Sequence, residues 1–178
     1  MKKKFFKEEI KNIQAFVFDV DGVLSKDVSP LDENGDPVRT GNVKDGYIIR
    51  YAIKRGLQVA VITGGSSPRV RQRLQKLDVT HIYEKCFDKD AKLKEFSQAT
   101  GIALENMLYM GDDVVDLAPM SLVALSACPA DAAIDVINAS DYISPFNGGE
   151  GCVRDVIEQT LRCQDLWKPE DFNKLLAN

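Results

Sequence analysis

The sequence predicts an α/β protein built on a doubly wound parallel sheet, with a β-hairpin protruding after the first strand and no separate cap domain. The main observation is that short β-rich apolar runs alternate along the chain with longer stretches of helical periodicity. A second observation is one proline-containing segment after the first run, which interrupts this alternation. The length of 178 residues favours a single domain over residues 1–178, large enough to bury a sizeable core.

Six apolar runs are predicted to be strands, at residues 15–20, 58–63, 80–83, 107–110, 122–125 and 142–143. Helices are predicted between them, at residues 45–55, 68–77, 90–100, 115–120 and 153–164. In the second helix, for example, Val70, Leu74 and Leu77 recur at i, i+4 and i+7. Because parallel strands joined through helices need right-handed crossovers, helices should cover both faces of the sheet, as in a Rossmann-like fold.

The segment that interrupts the alternation, residues 25–41, is predicted to be the protruding hairpin. Two short extended arms flank Asn34-Gly35, which is the strongest short hairpin signal. Pro30 and Pro37 suit edge strands and not a central position in a sheet. The hairpin should therefore project from the carboxyl end of the sheet.

The composition excludes several classes of protein. The chain is 44% hydrophobic and 28% charged with a net charge of −4, so we expect neither nucleic acid nor a membrane as a partner. No apolar run has membrane-spanning length, and charged residues interrupt the amino-terminal stretch where a leader peptide would be apolar. The four cysteines form no CxxC pair, which favours reduced thiols and a cytoplasmic location. His81 is the only histidine and is interpreted as structural.

Two carboxylates, Asp19 and Asp21, end the first apolar run at i and i+2. On an extended backbone both side chains project from the same face, so they lie side by side where the strand ends. Like charges this close repel, and holding both ionised calls for a cation. Hard oxygen ligands with few protein contacts suit magnesium. A solvated acidic turn is the alternative on this segment alone.

Three later signals follow in order along the chain. Thr63-Gly64 ends the second run and offers a hydroxyl and backbone N–H groups to a phosphate. Lys89 precedes the helix predicted at 90–100, although a lone lysine there is more often solvated. Another acidic strand end begins at Asp112. Because ligands bind outside the carboxyl ends of parallel strands, the two acidic ends are expected to share a cation, held by Asp19, Asp21 and Asp112.

This ordered set resembles the motifs of the haloacid dehalogenase superfamily of phosphohydrolases. Asp19-Val-Asp21-Gly-Val is similar to the first motif and Thr63 to the second, while Gly111-Asp-Asp-x-x-Asp116 is similar to the fourth. Lys89 and Lys92 both fit the third motif by spacing. Lys89 is preferred because it precedes the predicted helix and follows Asp88.

The resemblance implies roles for these residues. Asp19 would be the nucleophile that forms an aspartyl-phosphate, and Asp21 the general acid and then base. Mg²⁺ would bind Asp19, the main-chain carbonyl of Asp21, and Asp112. The phosphoryl oxygens would be held by Thr63, Gly64 and Lys89. Asp113 and Asp116 would orient Lys89 and metal-bound water from behind the residues that touch the substrate.

The chain leaves no room for a separate cap domain. The resemblance is therefore narrowed to a small subgroup of the superfamily that lacks this domain. Its members dephosphorylate 3-deoxy-D-manno-octulosonate 8-phosphate, an eight-carbon sugar acid of lipopolysaccharide biosynthesis. Close relatives act on nine-carbon keto-deoxy sugar acid phosphates and commonly carry Glu after the Thr-Gly of the second motif. Gly65 stands at that place, which favours the eight-carbon substrate. Arg73 and Lys76 could pair with the sugar carboxylate, or form a solvated helix face, and Arg154 could be only a helix-terminal charge.

The subgroup also implies an assembly, a homotetramer in which hairpins pack centrally and a neighbouring chain closes each active site. The carboxyl-terminal tail, residues 165–178, could dock on a neighbour or fray.

Two alternatives from other classes of protein remain open. A receiver-like signalling domain has a similar set of residues, but it places its lysine after the acidic pairs. A catalytically silent binding protein need not retain every carboxylate.

Overall fold

The strands form one six-stranded, wholly parallel sheet in a computed structural model that describes residues 5–171. The strands run in the spatial order β3-β2-β1-β4-β5-β6. Their bounds are Ala15–Phe18 for β1, Gln58–Ile62 for β2, His81–Tyr83 for β3, Met107–Met110 for β4, Leu125–Cys128 for β5 and Tyr142–Ile143 for β6. The order reverses at β1, between β2 and β4, and a crevice for ligands is expected at such a point.

Helices cover both faces of this sheet, which confirms the doubly wound prediction. The helices are α1 (Phe6–Glu9), α2 (Val43–Lys54), α3 (Pro68–Gln75), α4 (Lys89–Thr100), α5 (Leu117–Met120), α6 (Ile134–Ala139) and α7 (Cys152–Cys163). One core joins the sheet to α2, α3 and α7, and the other joins it to α4, α5 and α6. Side chains of β1 alternate between the two cores, with Phe16 and Phe18 in the first and Ala15 and Val17 in the second.

Strand β5 begins three residues later than predicted. The apolar run at 122–125 is a turn up to Ala124, and the strand continues through Ser126 to Cys128. Ser126 is tolerated in the buried strand because its hydroxyl donates to Asp141 Oδ2 at 2.9 Å. A tertiary hydrogen bond therefore allows this polar residue to be buried, and the pattern of apolar residues does not indicate such a position. The helices α1 and α6 were not predicted, and both are short.

The protruding segment at 25–41 is an exposed loop with one hairpin turn. A single antiparallel bridge joins Leu31 to Pro37. Across the turn, the Val38 N–H donates to the Pro30 carbonyl at 2.8 Å. The predicted hairpin is therefore present at its tip, while its arms form no ladder, which two prolines disfavour.

The described part of the tail docks on the chain itself. Trp167 packs against Tyr51 of α2, with ring centroids 5.2 Å apart, and the Lys168 N–H donates to the Tyr51 hydroxyl at 2.9 Å. Residues 172–178 of the predicted tail lie outside the described residues. Within residues 5–171 no helix combines the length and apolar character needed to cross a bilayer.

Candidate active site

The carboxyl ends of β1, β2 and β4 bring the predicted residues to one cavity. Its volume is about 350 Å³. The predicted residues that line it are Asp19, Asp21, Thr63, Gly64, Lys89, Asp112 and Asp113. They meet because β1 lies between β2 and β4, so residues distant in sequence share one edge of the sheet.

Lys89 is the cation at the centre of this arrangement. Its side chain is only 4% exposed, and Nζ donates to Asp19 Oδ2 at 2.6 Å and to Asp116 Oδ1 at 2.7 Å. Burial alone lowers the pKa of Lys89, but the two carboxylates outweigh it and raise that pKa above its ordinary value. Lys92, the other lysine considered, pairs instead with Glu95 on the exposed side of α4.

Asp116 holds Lys89 from beneath the cavity. The Tyr109 hydroxyl donates to its Oδ1 at 2.8 Å, and the Asp112 N–H donates to its Oδ2 at 3.2 Å. Both oxygens of this fully buried carboxylate are therefore occupied by donors from the protein. Asp113, in contrast, is exposed and accepts from the Val114 N–H at 2.7 Å, at the start of a short 3₁₀ turn.

Three carboxylates converge closely enough to hold one ion. One oxygen each from Asp19, Asp112 and Asp116 lies within 4.8 Å of the others. Burial, and then the neighbouring carboxylates, raise the pKa of Asp112 to about 8. Burial and Asp116 likewise raise the pKa of Asp19 to about 6, against the opposing effect of Lys89.

This cluster fits a divalent cation. Several carboxylates crowded at one buried edge need more positive charge than one lysine supplies, and their oxygens are the hard donors that magnesium prefers. Asp116 already accepts three hydrogen bonds, so Asp19 and Asp112 are the side chains best placed to bind an ion.

Two glycines allow close packing around the turn that follows β1. Gly22 has a φ of +74°, and a Cβ there would overlap the carboxylate of Asp112. A Cβ on Gly148 would overlap the carbonyl oxygen of Gly22. The loop before α7 therefore packs directly on the turn that follows β1, a contact that nothing in the sequence pattern indicated.

Thr63 and Gly64 also line the cavity. Thr63 is buried, and its Oγ1 accepts from the Gly65 N–H at 3.1 Å, while Gly64 is exposed. This turn follows β2 directly, before Ser67 caps α3. Its hydroxyl and backbone N–H groups are of the kind that bind an oxyanion.

Sequence reasoning missed Arg39 of the 25–41 loop, which pairs with Asp21 beside the cavity. Its Nε and Nη2 donate to Asp21 Oδ1 and Oδ2 at 2.8 Å and 2.9 Å. The hydrogen bond with Asp21 is the main cause that raises the pKa of Arg39 above its ordinary value. No motif pointed to this arginine, because the loop that carries it has no repeating pattern.

The basic residues considered for the sugar carboxylate lie away from the carboxylate cluster. Arg73 lines an adjoining groove, while Lys76 is exposed at the end of α3. Arg154 pairs with Glu158 at 2.8 Å, and its guanidinium lies over the Trp167 ring.

The fold and the site together define an α/β protein that can hold a divalent cation and an oxyanion at the carboxyl edge of its sheet. A family model described as haloacid dehalogenase-like hydrolase matches residues 78–157. The chain is also 38% identical, over 154 residues, to the 3-deoxy-D-manno-octulosonate 8-phosphate phosphatase KdsC of Escherichia coli K12. That match covers 86% of this chain and 82% of the relative. The chain therefore belongs to the haloacid dehalogenase-like hydrolases.

Solved structures show the same relationship. The 3-deoxy-D-manno-octulosonate 8-phosphate phosphatase of Yersinia pestis superposes with a TM-score of 0.87 at 33% identity, covering 90% of this chain and 87% of that one. The enzyme of the same name from Moraxella catarrhalis was solved with a magnesium ion, a phosphate ion and a KDO molecule. It superposes with a TM-score of 0.85 at 30% identity, covering 97% of this chain and 96% of the other.

Proposed function

We propose that this hydrolase is a magnesium-dependent phosphatase that releases phosphate from 3-deoxy-D-manno-octulosonate 8-phosphate, in lipopolysaccharide sugar biosynthesis. The observation that carries the proposal is the contact of Lys89 with Asp19 inside a cavity that also contains Asp112 and Thr63. The names of the relatives from Escherichia coli and Yersinia pestis supply the substrate. The magnesium, phosphate and KDO in the Moraxella catarrhalis structure support both the cofactor and the sugar.

In this proposal Asp19 and Asp21 carry the reaction. A carboxylate oxygen of Asp19 attacks phosphorus, the bond from phosphorus to the sugar oxygen breaks, and Asp21 donates a proton to that oxygen. Asp21 then accepts a proton from water, whose oxygen attacks phosphorus and releases both phosphate and the Asp19 carboxylate. Asp21 suits this exchange because its side chain is 43% exposed, whereas that of Asp19 is nearly buried.

Mg²⁺ would be held by Asp19, Asp112 and the main-chain carbonyl of Asp21. When bound, it neutralises negative charge between the nucleophile and the phosphate. Thr63, Gly64 and Lys89 would bind the phosphoryl oxygens, since they line the same cavity. The proposed role of Asp116 is to position Lys89, with which it pairs at 2.7 Å. Asp113 is assigned only to water near the metal, because its side chain is exposed.

At the sugar end of the site, Arg73 and Lys76 are the candidates for binding the sugar carboxylate. Arg73 lines the groove beside the cavity and could reach a sugar carboxylate there, while the exposed Lys76 is a weaker candidate. Residue 65 follows the Thr-Gly of the second motif and is a glycine. The lack of a side chain at this position favours the eight-carbon substrate over the nine-carbon substrate.

The assembly proposed is a homotetramer that acts in the cytoplasm, with residues 1–178 forming one domain. The exposed 25–41 loop carries apolar side chains, and Val28 and Leu31 are among those left in solvent. A neighbouring chain could cover them and close the site. The four cysteines are free thiols, as a reducing compartment favours.

The experiment that tests the function is phosphate release from eight-carbon and nine-carbon sugar acid phosphates, with and without Mg²⁺. We expect the higher kcat/KM on the eight-carbon substrate. Preference for the nine-carbon substrate would reassign the sugar but keep the chemistry. No release from either substrate would favour a silent binding protein.

The Asp19→Asn variant tests the proposed role of Asp19 as the nucleophile. It should abolish magnesium-dependent release while circular dichroism shows an intact fold, because the amide is not a nucleophile. Turnover retained in this variant would exclude Asp19 from the proposed role.

A further inference from the structure

Arg39 is a basic side chain of the 25–41 loop that pairs with Asp21, one of the residues lining the candidate catalytic cavity. Its side chain is only 10% exposed, although the neighbouring loop residues are largely in solvent. The pair with Asp21 uses two parallel N–H···O bonds, which is the strongest and most directional geometry of a guanidinium with a carboxylate. The position of this loop is therefore coupled to the carboxylate proposed to transfer the proton.

Two local features place Arg39 against Asp21. The base of the loop is held by Thr40, whose N–H donates to Ser25 Oγ at 2.9 Å and whose hydroxyl accepts from the Lys26 N–H at 3.0 Å. On the opposite side, a Cβ on Gly65 would lie 2.5 Å from Arg39 Nη2. The guanidinium therefore occupies the space that the missing side chain of residue 65 leaves free.

The charge of the cavity makes this guanidinium important for an anionic substrate. Five aspartates line the cavity, and the lysine that lines it is already held by two carboxylates. Arg39 itself borders the adjoining groove of about 130 Å³, together with Arg69 and Arg73. The guanidinium therefore lies between this groove and Asp21 of the cavity.

We propose that Arg39 is a substrate-binding residue, whose guanidinium leaves Asp21 and pairs with an oxyanion of the substrate. The exchange replaces one ion pair by another, forms no covalent bond and frees the Asp21 carboxylate. Both a phosphoryl group and a sugar carboxylate match the two-donor geometry of the guanidinium. This inference rests on the proposed function, because that function supplies a substrate with both groups.

The test compares Arg39→Met, Arg39→Lys and a matched control, Arg162→Met, which removes an exposed arginine paired with Glu158 on α7. Calorimetry with Mg²⁺ measures the binding of inorganic phosphate and, separately, of the free eight-carbon sugar acid. Arg39→Met should weaken at least one ligand by about tenfold or more, with partial recovery in Arg39→Lys and no change in the control. Weaker phosphate binding identifies the phosphoryl group, and weaker sugar acid binding identifies the carboxylate.

Gly65→Ala is a second route to the same result, because the added methyl group should displace Arg39 without removing it. Unchanged affinity for both ligands in Arg39→Met and in Gly65→Ala would overturn the proposal. If kcat then fell equally on all phosphomonoesters, Arg39 would only orient Asp21. Phosphate release by the wild-type protein is measured in parallel. If the wild-type protein releases no phosphate, the proposed function is refuted. The phosphate-binding measurement then still tests whether Arg39 binds an oxyanion.

Discussion

At the scale of single residues, Tyr109 shows how much of the site depends on a group that does not line the cavity. Its buried hydroxyl donates to Asp116 Oδ1, the same oxygen that accepts from Lys89. Tyr109→Phe removes only this hydrogen bond and keeps the ring. We expect the free energy of unfolding to fall by about 1.5–3 kcal/mol, as for a buried hydrogen bond to a charged group.

Urea denaturation measures this change. Tyr83→Phe is the control, since Tyr83 is a half-buried tyrosine on β3, outside the Asp116 network. A loss of the same size in both variants would show that the effect is general to tyrosine hydroxyls and does not come from Asp116.

The raised pKa of Asp112 predicts that magnesium binding depends on pH. Its pKa is raised to about 8 without a cation, and only the ionised carboxylate binds a metal. The apparent affinity for Mg²⁺ should therefore rise from pH 6 to pH 8, by up to about tenfold per pH unit if one proton is released. Calorimetry in buffers of different ionisation enthalpy measures both the affinity and the proton. An affinity independent of pH would contradict the assignment of Asp112.

The same shift has a consequence for stability. Because the folded pKa of Asp112 lies above its ordinary value of 3.8, the metal-free fold binds more protons than the unfolded chain. The contribution of this group is then greatest at low pH and is lost as the pH rises from about 4 to 8. Mg²⁺ should raise the melting temperature more at pH 8 than at pH 6, and Asp112→Asn should abolish that difference.

At the scale of elements, Asn42 joins the start of α2 to the loop before α7. Its side-chain oxygen accepts from the Lys44 N–H at 2.9 Å, and its amide donates to the Gly149 carbonyl at 3.1 Å. Asn42→Ala removes both contacts and should lower the free energy of unfolding by about 1–2 kcal/mol. Asn42→Asp keeps the cap but loses the donor.

Comparing these two variants by chemical denaturation separates the helix cap from the link to Gly149. The aspartate variant should lie between the wild type and Asn42→Ala. If both variants lost the same stability, the cap would contribute nothing measurable.

Most elements could be predicted because their apolar spacing is set locally. Strand β4 and helix α4 agree with the predictions to within a residue, since β4 is a continuous apolar run of four buried residues and α4 buries Leu93 and Phe96 at helical spacing. Strand β5 could not be placed, because Ser126 is buried through a hydrogen bond to a residue fifteen positions later. Helix α6 was missed because only Val136 among its six residues is buried.

At the scale of the whole molecule, deleting residues 26–41 tests the proposed assembly. We expect the deletion to lower the oligomeric mass measured by light scattering, and to reduce discrimination between sugar acid phosphates. Arg39→Met is the matched control, because it keeps the loop but removes its contact with Asp21. A deletion variant that stays tetrameric and selective would refute the idea that a neighbour closes the site.

The sequence by itself determined the doubly wound class, the two acidic strand ends and the order of the motif residues. These features depend on residue types within single strands and helices and on the order of those elements along the chain. Only the tertiary structure showed Lys89 in contact with both Asp19 and Asp116 and brought Arg39 onto Asp21. These contacts join residues 18 to 70 positions apart, and no local pattern encodes which distant side chains a folded chain brings together.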